Sequence, residues 1–95
     1  MQLADEESYE VMIRALTNFM SQVSTHCQIM SDAGQDCIDN TEGDPAATRA
    51  AEKLEVCIGK IRGTFDQIES IISALQRELE AIREAAAASS GMGDI

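Results

Sequence analysis

Aromatic side chains make up 3% of this 95-residue chain and tryptophan is absent, so any core it buries is aliphatic and methionine-rich. A chain of this size forms one small domain with a modest core. Basic residues are scarce: Lys and Arg number 7 against 17 Asp and Glu, a net charge of -10. Clustered positive charge is what holds a phosphate backbone or an anionic bilayer, so neither nucleic acid nor a membrane surface is an expected partner. Long apolar runs are missing too. None approaches the ~20 residues that cross a bilayer, so membrane insertion is not expected.

The N-terminal Met-Gln-Leu-Ala-Asp-Glu-Glu has neither the basic segment nor the apolar centre of a cleavable signal peptide. We expect a chain made in the cytoplasm, and any export to proceed without such a signal. His26 is the sole histidine, so a catalytic triad or a Cys-His pair would have to use it. It falls within a regular helical pattern, with no loop to build a pocket or an oxyanion hole. Zinc ligation by His26, Cys27, Cys37 and Cys57 fails on spacing, because structural sites use close pairs such as Cys-x-x-Cys. The acids near residue 40 lack the Asp-x-Asp-x-Asp-Gly order of a calcium loop. The chain reads as no enzyme, without metal or cofactor.

What the sequence does have is periodicity. Tyr9, Ile13, Leu16, Met20, Val23, Cys27, Met30, Gly34 and Cys37 recur at alternating steps of four and three. So do Ala47, Ala51, Leu54, Ile58, Ile61, Phe65, Ile68, Ile72, Leu75, Leu79, Ile82 and Ala86. A mean step of three and a half is a heptad seam, which keeps one apolar line against a partner helix. Asn40-Thr41-Glu42-Gly43-Asp44-Pro45 separates the two runs. Asn40 or Gly43 suits the left-handed end of a helix, Asp44 suits an N-cap, and Pro45 suits a first turn. Asp5 or Ser8 is placed to cap the first helix, where Asp5, Glu6, Glu7 and Glu10 favour the positive end of its dipole.

The predicted architecture is therefore all-α: a single antiparallel hairpin with a helix over about 5–39, a turn at 40–44, a helix over about 45–88 and a flexible tail at 89–95. Residue-by-residue pairing of the two seams puts the fold point near residue 42, inside that turn. Met12 and Phe19, and on the second helix Ala50, Cys57 and Ile71, flank the seam on one side at steps of seven or fourteen residues, which widens the apolar stripe beyond a two-stranded seam. Two helices alone bury little, so a second hairpin, identical or related, is expected to complete a four-helix bundle by dimerisation. The same pairing brings Cys27 near Cys57, where either a disulfide or a pair of free thiols would fit. Gly59 and Gly63, four apart and opposite the seam, suit a second contact surface, a hinge or merely a weak spot. Charge is uneven: Asp5, Glu6, Glu7, Glu10, Asp32, Asp36, Asp39, Glu42 and Asp44 face Arg14 alone in residues 1–45.

The length, the acidic charge, the two long helices, the short turn ending in Gly43 and the loose tail together resemble the WXG-type superfamily. Those are the small helical-hairpin proteins exported by type VII secretion systems. Where that family has Trp-x-Gly, this chain has Thr41-Glu42-Gly43, and after Ala88 nothing matches the family's Tyr-x-x-x-Asp/Glu. Phe65-Asp66-Gln67-Ile68-Glu69 has a related form but lies mid-helix with Phe65 in the seam. The resemblance extends to the divergent helical partners of LXG-type toxins, which lack both motifs. It implies a targeting chaperone or co-secreted partner that binds a toxin's N-terminal helical domain or another WXG-like chain. The alternatives are a cytosolic coiled-coil adaptor or structural homodimer, and a needle-like subunit of type III secretion.

Overall fold

The computed structural model describes the backbone of residues 2–93 and the side chains of residues 6–88. It contains three helices: α1 (Gln2–Asn40), α2 (Pro45–Gly63) and α3 (Phe65–Gly93). No strand occurs among the described residues, so the all-helical class follows directly from the seam period. No helix among them is long and apolar enough to cross a membrane. Two compact units divide the chain. One joins Met1–Asn18 to Ile68–Ile95, and the other is Phe19–Gln67.

In the Phe19–Gln67 unit α1 turns back into α2 through a tightly closed end. The Gly43 N–H donates to the Ile38 carbonyl at 2.9 Å and the Glu42 N–H to Asp39 at 3.2 Å. These two bonds make a Schellman cap, which satisfies the last carbonyls of α1. The left-handed residues are Glu42 (φ 55°) and Gly43 (φ 78°). Asn40, expected as a candidate for that role, is instead the last residue of α1. Gly43 carries such a φ without cost, whereas Glu42 pays for its Cβ. Replacing Glu42 with Gly should therefore raise folding stability by about 0.5–1 kcal/mol, read as a higher urea midpoint. An unchanged or lower midpoint would mean that the strain is relieved elsewhere. Asp44 then caps α2, its carboxylate accepting from the Ala46 and Ala47 N–H groups at 3.0 and 3.2 Å, with Pro45 as the first helical residue.

Cys27 and Ile58 are the buried residues of this unit, and the neighbouring seam positions on α1 and α2 are half-buried. Near the turn the buried line moves from Cys37, which is exposed, to Ile38. A helix of 3.6 residues per turn outruns a strict 3.5 repeat, so a step of four here keeps to the face better than a step of three. A Cβ on Gly34 would meet the Ala51 Cβ and the Leu54 Cδ2 at 3.5 Å each, which is ordinary contact. Gly34→Ala thus removes the helix penalty of glycine at no steric cost. It should stabilise the fold by roughly 1 kcal/mol in chemical denaturation. A loss would show that the helices there cannot accommodate one more methyl group.

The second half of the sequence, expected as one helix to about residue 88, is helical over 45–93 with a one-residue interruption at Thr64. At Thr64 the N–H and the hydroxyl both donate to the Ile61 carbonyl, at 3.1 and 2.7 Å. That i→i−3 bonding replaces the α-helical pattern for one residue. Gly59 and Gly63 weaken the helix on its approach, and a Cβ on either would meet nothing within 4 Å. Beyond the interruption α3 runs to Gly93, past the expected end near Ala88. The run Ala85-Ala86-Ala87-Ala88 has the highest helix propensity available and carries the helix onward. Asp94 and Ile95, the end of the expected tail, lie outside the described residues.

The other unit pairs the start of α1 with α3. Its buried residues are Ile72 and Leu79, and Tyr9, Ile13, Leu16, Ile68, Leu75 and Ile82 are half-buried. Because α1 spans Gln2–Asn40, Asp5 and Ser8 both lie within the helix and not at its N-cap.

Candidate interaction surface

Each unit has two flanks of opposite character, set by which residues fall to either side of the seam at 100° per residue. In the α1–α3 unit one flank is polar. Arg83 donates through Nη2 to the Glu10 carboxylate at 2.7 Å and lies 3.6 Å from Glu6 through Nε. On the other flank Met12 and Ile71 are 49% and 46% exposed. In the Phe19–Gln67 unit the Ser31 hydroxyl donates to the Glu55 carboxylate across the helices at 2.6 Å. Along the same side of α1, Gln28 donates to Asp32 and Gln35 to Asp39, both at 3.0 Å. Opposite them Phe19 is 51% exposed, and His26 and Cys57 are exposed as well.

The four residues singled out from the sequence, Met12, Phe19, Cys57 and Ile71, are thus all exposed, two in each unit. In each unit the flank they mark carries apolar surface, while the opposite flank ties the two helices together. Exposed surface ion pairs contribute little, about 0–1 kcal/mol, so the polar flank matters more for orientation than for stability. Shallow grooves run along it. One of about 510 Å³ is bordered by Glu10, Arg14, Gln76 and Arg83, and one of about 460 Å³ by Asp32, Gln35, Glu52 and Glu55.

Of the seam residues, Ile13, Leu16, Met20, Val23, Met30, Leu54, Phe65, Ile68 and Leu75 are half-buried, while Ile58 and Ile72 are buried. Ile61, beside the Thr64 interruption, is 37% exposed. The cysteines Cys27, Cys37 and Cys57 are free thiols, and only Cys27 is buried. Among the described residues no three His, Cys, Asp or Glu side chains gather closely enough to hold a metal ion.

Three further exposed apolar residues escaped the heptad reading: Val11, Ile29 and Val56, with Ile29 and Val56 at 57% and 59%. They lie on the outer backs of the helices, where a seam search does not look. A different signal marks Ile29. From Ala15 to Ser31 α1 contains no Asp, Glu, Lys or Arg. Charge depletion on an exposed helix is the compositional mark of the centre of an interface.

The chain matches no protein-family model, no curated protein and no solved structure.

Proposed function

We propose that this protein is a non-catalytic helical partner, which docks a second helical chain on its apolar flank and so completes a four-helix bundle. The observation that carries the reading is the division of the flanks. In one unit Met12 and Ile71 stand about half exposed on the flank away from the Arg83–Glu10 pair, and in the other Phe19 does so away from the Ser31–Glu55 pair. The uncharged stretch of α1 supplies the dry centre that such a contact needs.

The biological form of this proposal is a targeting chaperone or co-exported partner in type VII secretion, bound to the helical domain of a larger toxin. Support for that form comes from the hairpin-like sequence pattern and its resemblance to WXG-type proteins. The test is the solution mass by light scattering, alone and after co-expression with the product of the adjacent open reading frame. A stable complex with a larger helical protein is the expected result. A discrete homodimer that ignores the neighbour would point to a self-contained bundle or adaptor. Fibres would point to a needle-like subunit. A lone monomer that binds nothing would sink the reading.

A further inference from the structure

Four of the seven bases of this acidic chain fall within α2: Arg49, Lys53, Lys60 and Arg62. Three of them, Arg49, Lys53 and Lys60, share one side of the helix with Val56 and Cys57, and all five are exposed. The acids of α2, Glu52 and Glu55, lie toward the other side, where Glu55 accepts from Ser31. None of the helical neighbours three or four residues from Lys53 or Lys60 is an acid. Arg49 and Lys53 are themselves neighbours of like charge, an arrangement that costs a helix a few tenths of a kcal/mol. The ion pairs of Arg83 with Glu6 and Glu10 belong to the other unit. A protein of net charge -10 thus keeps Lys53 and Lys60 clear of acids at their helical neighbours, next to its exposed apolar flank.

We propose that the chain docked on the Phe19–Gln67 unit is an acidic amphipathic helix of a partner protein. Its apolar stripe covers Phe19 and Cys57, and carboxylates along one edge pair with Lys53, Lys60 and Arg49. The inference rests on the helical-partner reading above and adds the chemistry and orientation of the partner. Charge complementarity selects the occupant. A nucleic acid or a bilayer would meet the same bases, but it would also meet the field of the remaining acids, and a nucleic acid has no use for Phe19 and Cys57 beside the bases. Opposed charges at the rim of an apolar contact fix the register and exclude wrong partners more than they add affinity.

The experiment titrates the isotope-labelled full chain with two synthetic helical peptides that share a leucine seam, one flanked by Glu and its twin by Lys, while amide NMR signals are followed. The Glu peptide should move the signals of Lys53, Val56, Cys57 and Lys60 and bind at least about 10-fold more tightly than its twin. Raising NaCl from about 50 to 300 mM should weaken it several-fold, because rim charges are screened. Lys53→Gln with Lys60→Gln should erase the preference, and Lys53→Glu with Lys60→Glu should reverse it. Equal binding of both peptides at Phe19 would overturn this inference and leave the helical-partner reading intact. Signals of α2 that move with neither peptide would overturn it too, with the co-expression mass still judging the broader reading. Tighter binding of phosphatidylserine vesicles or of a single-stranded oligonucleotide would replace the acidic helix with that ligand.

Discussion

Ile58→Ala should lose about 3 kcal/mol of folding stability, and Ile61→Ala, three residues further along the same seam, less than about 1 kcal/mol. Both are isoleucines at heptad positions, so the repeat alone assigns them equal weight. Their burial differs. Ile58 is 4% exposed and its removal leaves a cavity beside fixed neighbours, whereas Ile61 is 37% exposed and water fills its place. For a domain of this size each kcal/mol moves the midpoint by about 4–8 °C, so Ile58→Ala should melt at least about 12 °C earlier. Circular dichroism at one fixed protein concentration reads it, since any association makes the midpoint concentration-dependent. Should Ile58→Ala fail to fold, Ile58→Val should still lose about 0.5–1.5 kcal/mol. Equal losses at the two positions would mean that Ile61 is covered in solution by a contact within the fold or with a partner.

The second large effect concerns association. Phe19→Glu and Ile71→Glu should each leave helicity and melting nearly unchanged, because both side chains are about half exposed in the chain itself. Each should nonetheless weaken docking by about 30-fold or more, the loss of one central apolar anchor worth about 2 kcal/mol. Burying a new carboxylate against an apolar stripe adds to that loss. The double variant should show no complex by light scattering at micromolar concentration. Ser24→Glu, an exposed polar position on the other side of α1, is the matched control and should bind normally. Phe19 and Ile71 belong to different units, so the single variants also tell which unit the partner grips. Unchanged association in both singles and in the double would remove the apolar flank from the docking surface.

The exposed apolar residues were readable from sequence only where they kept a helical spacing relative to the seam. Met12, Phe19, Cys57 and Ile71 do so, and all four are exposed. Ile29 and Val56 do not, and what distinguishes them is the absence of charge around one and the one-sided bases around the other. Those are properties of a surface, which appear only when the helix faces are known.

Local chemistry determined the helices and their turn. A 3.5-residue apolar repeat admits no strand, Asp44 before Pro45 admits little but a helix start, and Gly43 accepts a positive φ freely. Each of these depends on residues within a few positions of one another, which is why the order of letters was sufficient. Tertiary structure decided the rest. It moved the buried line from Cys37 to Ile38. It also chose Cys27, Ile58, Ile72 and Leu79 from a long seam as the residues water does not reach. Burial depends on what lies opposite, and a residue's opposite number is chosen by the packing of whole helices.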